Sequence, residues 1–346
     1  MKIVVDAMGG DEAPAVVIDG SVLAAQQLGV EIILVGREEV IKRELARHSI
    51  GPLPISIMPA SEVVEMHEHT MAVKEKKDNS LSVGLRILKE GKADAFMSAG
   101  NSGAVMAAAL FGLGRIRGID RPALCSKFPA SDKPMVLIDL GANADPKPLN
   151  LLQNGLMGSI YADKVLGLKN PRVGLVSNGE EADKGSMLVR DAYKLFQESS
   201  LNFIGNVEGK DIPRGTAEVV VADGFTGNVI TKLTEGIASF ILRFVKRELT
   251  GGPLNKIALV LMIPGLILML PGIILLIPSL LRLRKKMDYR EIGAAPLLGV
   301  DGIVLIAHGR SDGPAIFGAI RSTQQAVEAD IINAIKSGLA DPKMAA

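Results

Sequence analysis

The chain has 346 residues, 48% of them hydrophobic and 3% aromatic, with no tryptophan and a formal net charge of +1. That length allows one large α/β domain or two smaller ones, and the near-neutral charge argues against a dedicated nucleic-acid binder, whose footprint is strongly basic. The single cysteine, Cys125, excludes an intramolecular disulfide and a CxxC metal site.

Short β-branched runs alternate with helical patterns from the first residues onward. Lys2–Met8 reads as a buried strand, Ala13–Leu28 as a helix, Glu31–Val35 as a strand and Glu38–His48 as a helix. The N-terminus is too short and too soon acidic for a signal peptide, so the chain is expected to start in the cytosol and stay there. Met58–Asn79, polar and basic, reads as a surface excursion. Ala93–Ser98 (strand), Ser102–Leu113 (helix), Met135–Leu140 (strand) and Pro148–Leu166 (helix) resume the rhythm, with Cys125 in a buried strand at 122–126, where a small core hydrophobe outweighs a catalytic thiol. Strands follow at Arg172–Val176, Asn202–Ile204 and Glu218–Ala222, with helices at Lys184–Glu198 and Thr226–Leu249. The strand Ile303–Ala307 and one long helix, Asp312–Ser337, close the chain. The alternation predicts βα units around a largely parallel sheet in three α/β/α layers of Rossmann-like type, without an internal repeat.

One segment breaks the pattern. Ile257–Leu281 has no charged residue, and 16 of its residues are Leu, Ile or Val. Their insertion tendency sums to roughly 5–10 kcal/mol in favour of burial. Lys256 precedes it and Arg282, Arg284, Lys285 and Lys286 follow, the flanking basic residues of a segment whose two ends share one side. Pro264, Pro271 and Pro278 recur every seven residues, each able to bend a helix. Residues 250–288 therefore read as an apolar, membrane-associating helical hairpin inserted in a single domain, 1–346.

Ligands of doubly wound sheets bind outside the carboxyl ends of the strands. Those ends here read Asp6-Ala-Met-Gly-Gly-Asp11, Ser98-Ala-Gly-Asn-Ser-Gly103, Asp139-Leu-Gly-Ala-Asn143, Ser177-Asn-Gly-Glu-Glu181 running into Lys184-Gly-Ser186, and Asp223-Gly-Phe-Thr-Gly-Asn228. Several lead into helices, whose free N–H groups make anion sites. Each alone is an ordinary turn; five together point to an anionic ligand. Gly112–Gly118 has the wrong spacing for a dinucleotide fingerprint and follows a helix. There is no Walker loop and no Gly-x-Ser-x-Gly elbow. His67 and His69 lack a third ligand nearby, so no metal is expected.

These strings, with Phe203-Ile-Gly-Asn-Val-Glu208 and Ala294-Ala-Pro-Leu-Leu-Gly299, resemble the bacterial phosphate acyltransferase (PlsX) family over essentially the whole chain. The resemblance implies a fold shared with phosphotransacetylases and isopropylmalate-type dehydrogenases. It implies transfer of a fatty acyl group from acyl carrier protein to inorganic phosphate for phospholipid synthesis, without cofactor or metal. It further implies a homodimer on the inner face of the membrane, with a glycerol-phosphate acyltransferase as consumer of the product. Members of that family carry a shorter, more amphipathic stretch where Ile257–Leu281 stands. Two rival readings are a phosphotransacetylase-like enzyme using acyl-CoA and a non-catalytic membrane scaffold for lipid synthesis.

Phosphate is already nucleophilic, so such a reaction needs positioning, worth roughly 7–11 kcal/mol, and oxyanion donors, worth about 3–4 kcal/mol each. Lys184 is the charged candidate and Asn228 an oxyanion donor, although a solvated lysine and a helix cap are the plain alternatives. His308 could protonate the leaving thiolate or simply bond a turn carbonyl. Gly9, Gly10, Gly100, Asn101, Ser102, Gly103 and Gly227 offer backbone for phosphate. Asp6, Asp139, Asn143, Asn178 and Asp223 would bind or orient. Lys74, Lys76, Lys77, Arg115, Arg117 and Arg121 are candidate cations for an acidic carrier protein.

Overall fold

The computed structural model describes residues 1–48, 51–130, 134–252 and 293–341, with isolated positions at 261, 272 and 275–278. It divides into two compact units, Met1–Gly227 with Tyr289–Ala346, and Asn228–Asp288.

Eleven strands form one sheet in the first unit: β1 (Lys2–Asp6), β2 (Glu31–Gly36), β3 (Ile55–Pro59), β4 (Ala95–Ser98), β5 (Ala123–Phe128), β6 (Met135–Ile138), β7 (Val173–Val176), β8 (Phe203–Val207), β9 (Val219–Val221), β10 (Ala295–Leu298) and β11 (Ile303–Ile306). Their order is β3-β2-β1-β4-β11-β10-β5-β6-β9-β7-β8. Strands β3, β2, β1, β4 and β11 run parallel. Each step from β11 through β10 and β5 to β6 is antiparallel, and β6, β9, β7 and β8 are again parallel to one another. Three reversals between β11 and β6 leave the two parallel halves pointing in opposite directions. The sequence alternation finds the strands of both halves except β3, while β10 and the hairpin of β5 with β6 break the parallel rule.

Alternate strand residues enter cores on opposite faces. Ile3, Val5 and Met97 join one; Val4 and Phe96 join the other. Helices α1 (Ala15–Leu28), α2 (Glu38–Leu45), α6 (Pro148–Lys164) and α7 (Met187–Glu198) contribute to the first core. Helices α3 (Ala72–Glu75), α4 (Ser80–Lys89) and α5 (Ser102–Gly112) contribute to the second. The expected three layers follow. Cys125 is fully buried in β5, and burial pushes its thiol far above the usual range, as suits a core residue.

Three differences from the sequence reading change what surrounds the strand ends. The final helix is two, α9 (Gly313–Glu328) and α10 (Ile331–Leu339), broken at Asp330, whose φ of 48° stops the α-helical path. The stretch read as a surface excursion is partly core: β3 pairs with β2 in register, Val63, Val64, Ala72 and Val73 are buried, and buried Asn79 caps α4 by accepting from Ser82 N at 2.9 Å. Helix α7 begins at Met187, capped by Ser186, so Lys184 lies in the preceding turn rather than at the helix start.

The 27-residue helix α8 (Gly224–Thr250) leads from the first unit into the second. Val229, Leu233, Ile237, Phe240, Ile241, Phe244 and Val245 are exposed along it at three- and four-residue intervals. Among the described residues no helix is long and apolar enough to cross a membrane. The expected hairpin at Ile257–Leu281 falls almost wholly outside the described residues.

Candidate functional site

Because the two halves of the sheet point in opposite directions, the turns that follow their strands open at two different edges. Asp6, Gly9, Gly10, Gly100, Asn101, Ser102, Gly103 and His308 follow β1, β4 and β11 at the first edge. Asp139, Asn143, Asn178, Lys184, Asp223 and Gly227 follow β6, β7 and β9 at the opposite edge. From β4 to β6 are four strand spacings, about 19 Å across the sheet before strand length is added. One chain therefore does not bring all the expected residues to one ligand.

At the first edge the buried carboxylate of Asp6 organises the turns. It accepts from Ser98 Oγ at 2.7 Å and Met8 N at 3.1 Å, and Ser98 Oγ in turn accepts from Gly100 N at 2.9 Å. Burial, the largest influence, raises the Asp6 carboxyl above its ordinary range against these bonds. Gly9 has to be glycine: a Cβ there would stand 2.5 Å from Asp6 Oδ2 and 2.6 Å from Gly100 N. Asp11 N donates to Gly309 O at 2.8 Å, joining the β1 and β11 turns. His308 is exposed, and its Nδ1 accepts from Arg310 N at 3.1 Å, which leaves Nε2 free.

Asn101 was expected to offer only its backbone, but its side chain has two tasks of its own. Its Oδ1 caps α5 by accepting from Ala104 N at 3.2 Å, and its Nδ2 donates to Met66 O and Glu68 O at 3.1 and 3.0 Å. Both side-chain atoms are thus committed to the cap and to residues 66–68, which lie over this edge. Ser102, next in sequence, is exposed and opens α5, where the N–H groups of Ser102 and Gly103 have no intrahelical acceptor.

At the opposite edge the carboxylates serve the turns themselves. Asp139, at φ 63°, accepts from the N–H groups of Gly141, Ala142 and Asn143 and from Asn143 Nδ2, the shortest bond being 2.7 Å. Burial raises its carboxyl while those donors pull it back. Asn143 Nδ2 also reaches Pro122 O at 2.8 Å. Asp223 accepts from Thr226 N at 2.9 Å and Thr226 Oγ1 at 2.6 Å. Asn178 Oδ1 accepts from Gly185 N at 2.9 Å, closing the turn that carries Lys184. Lys184 is exposed and makes no ion pair among the described residues. Asn228 follows Gly227 on α8 as the first residue of the second unit.

The sequence reading missed Asn206, which lies inside one of its quoted strings. It is 7% exposed, donates to Glu181 O at 2.7 Å and leaves its Oδ1 without a partner, as does Ser177 Oγ beside the same turn. Such buried orphan atoms call for a water or a ligand. Also missed was a short likeness: Gly100-Asn-Ser-Gly-Ala-Val105 and Gly224-Phe-Thr-Gly-Asn-Val229 share Gly-x-Ser/Thr-Gly-x-Val, each at a strand-to-helix turn. One acidic group close enough for a cation, Glu180 with Glu208 and Asp211, already holds the ammonium of Lys210, which pairs with Glu208 and with Glu180.

The sequence profile of a family described as fatty acid synthesis protein matches residues 1–334. A phosphate acyltransferase of Desulfitobacterium hafniense (strain DSM 10664 / DCB-2) is 48% identical over 341 residues, 98% of each chain. One from Alkaliphilus oremlandii is 46% identical over 340 residues, 98% of this chain and 97% of that one. Among solved structures, a phosphotransacetylase from Streptococcus pyogenes superposes with a TM-score of 0.62 at 16% identity, covering 95% of this chain and 94% of that one, a likeness of fold.

Proposed function

The chain belongs to the fatty acid synthesis protein family, and from that membership we propose that it transfers a fatty acyl group from acyl carrier protein to inorganic phosphate. The observation that carries the reading is the match to phosphate acyltransferases along nearly the whole chain. A phosphate oxygen attacks the thioester carbonyl, a C–O bond forms, the C–S bond breaks and the thiolate leaves. At the first edge, the opening N–H groups of α5 and the Ser102 hydroxyl hold the phosphate. Because Nδ1 of His308 accepts from Arg310 N, its Nε2 carries the proton, gives it to the departing thiolate and takes up the proton shed by phosphate in its place. Gly9, Gly10, Gly100 and Gly103 let backbone approach the anion, and Asp6 fixes their turns.

Lys184 and Asn228 would stabilise the oxyanion, supported by Asn178, Gly227 and the turns of Asp139, Asn143 and Asp223. Within one chain Lys184 belongs to the other edge. It serves the same reaction when a second copy presents its opposite edge to this first edge, and the exposed apolar stripe of α8 supports a homodimer. The reaction needs no metal or cofactor. Incubating the protein with acyl carrier protein thioester and phosphate should yield hydroxylamine-trappable acyl-phosphate, and exhaustive chelation should not lower the rate. Product from acyl-CoA but not from the carrier thioester would replace the donor, and no product at all would favour a scaffold.

The same reading places the protein in the cytoplasm on the inner membrane face, held by the apolar segment that enters and returns, where a glycerol-phosphate acyltransferase consumes the product. Deleting Met262–Pro278 should move the protein from membrane to soluble fraction and spare its chemistry. Sedimentation of the deletion variant with membranes through a high-salt wash would rule the anchor out.

A further inference from the structure

Helices α3, α4 and α5 leave between them an open groove of about 320 Å³. Its floor is apolar: Leu85 is fully buried, and Val73 and Ala108 are nearly so. Its rim carries Lys74, Arg86 and Lys89, all exposed. Phe111, 51% exposed in a chain with few aromatics, stands at one end, with Lys74 Nζ 3.7 Å from its ring centroid.

The charges around this groove are divided between internal use and display. Of the cations expected to meet an acidic partner, Lys76 is bonded to Glu68 at 2.6 Å and Arg115 pairs with Asp120 at 3.4 Å. The nearby acids are likewise occupied: Asp78 accepts from Ser61 N and Oγ, and Glu90 pairs with Lys92. Lys74, Arg86 and Lys89 make no ion pair among the described residues. Desolvating a displayed cation is costly without an opposite charge from the partner, whereas an exposed aromatic over an apolar floor gains from burial. A groove with both wants a partner that is acidic at its margin and apolar at its contact point.

We propose that this groove is the docking surface for the acyl carrier protein, an acidic helical protein; the inference rests on the function proposed above and adds where the donor sits. Its position fits. Phe111 and Ser102 lie at opposite ends of α5, nine residues and about 14 Å apart, a span that an extended phosphopantetheine arm exceeds. A carrier seated at Phe111 delivers its thioester to the first edge while its acidic surface faces Arg86 and Lys89. Charges of this kind govern encounter and affinity and leave the chemical step alone.

The test uses the full chain, with Arg86→Glu/Lys89→Glu as one variant and Phe111→Ala as another. Neither touches the proposed reacting groups. KM for the acyl carrier protein thioester should rise about tenfold or more at low salt in the charge-reversed variant, with kcat unchanged. The gap should narrow at high salt as screening grows. An acyl-pantetheine thioester, which lacks the protein, should be used equally by wild type and variants. Direct binding of unacylated carrier protein, followed by fluorescence anisotropy, should weaken in parallel, so the groove stays testable even where no acyl-phosphate forms. Wild-type carrier affinity in the variants, or an equal loss with both thioesters, would overturn the assignment. A fall of the Phe111→Ala variant to half the native mass would assign the groove to contact between copies instead.

Discussion

Gly227→Ala should leave a protein that melts several degrees below the parent, although it adds only one methyl group. A Cβ at this position would stand 1.9 Å from the carbonyl oxygen of Asp139, and that oxygen is backbone. It belongs to a turn held at φ 63° by its own carboxylate, so the turn cannot yield without releasing the N–H groups of Gly141, Ala142 and Asn143. Overpacking against so stiff a neighbour costs about 3 kcal/mol or more. With an unfolding entropy of about 2.1 cal/mol/K per residue, this lowers Tm by about 4 °C for a chain of 346 residues. Gly236→Ala, on the same helix, is the control: nothing lies within 4 Å of the added Cβ, and the exchange favours the helix by roughly 0.5–1 kcal/mol. A Gly227→Ala variant that melts within a degree of wild type would show that the two turns are not in this contact.

Ser102→Asp should abolish turnover while keeping the fold. A carboxylate in the first turn of α5 is favourable for the helix but occupies the place proposed for phosphate, and like charges so placed oppose each other by several kcal/mol. Turnover should fall by about 10²-fold or more. Lys184→Ala should fall by a similar factor of about 10², the loss typical of an oxyanion donor, as should Asn228→Ala. The two edges are then tested against each other. Each variant is inactive alone, yet a purified heterodimer of Ser102→Asp with Lys184→Ala would retain one centre with both edges intact. Its turnover per dimer should return to about half that of wild type, because one of two shared centres is complete. A heterodimer as inactive as its parents would refute the shared centre, and near-normal turnover of Lys184→Ala alone would remove the opposite edge from the reaction.

The sequence by itself determined most of the elements, though not β3, β10, α3 or α4, and the chemistry available to them. Buried strands such as Lys2–Asp6, built on Ile3–Val5, and Val219–Val221 contain continuous apolar runs, and their turns are marked by Gly, Asn and Asp, so local pattern suffices to find them. Family membership was legible for the same reason, since its strings are contiguous. Some residues were legible by type but not by task. Asn101 was expected for its backbone, whereas its side-chain amide holds residues 66–68, a contact across 33 and 35 positions that no local pattern contains.

Strand direction is the larger thing that only the tertiary structure decided. A carboxyl end looks the same in sequence whichever way its strand runs, so Ser98–Gly103 and Asp223–Gly227 read as neighbours around one ligand. The antiparallel steps at β10, β5 and β6 send them to opposite edges. The β10 residues follow a segment of more than forty positions, and their pairing with both β11 and β5 is a long-range choice made by packing. The same holds for Gly227, an ordinary turn glycine until the Asp139 carbonyl is brought against it. Hydrogen-bond donors and apolar periodicity are properties of neighbouring residues; which edge a turn joins, and which backbone a glycine must admit, depend on distant segments meeting.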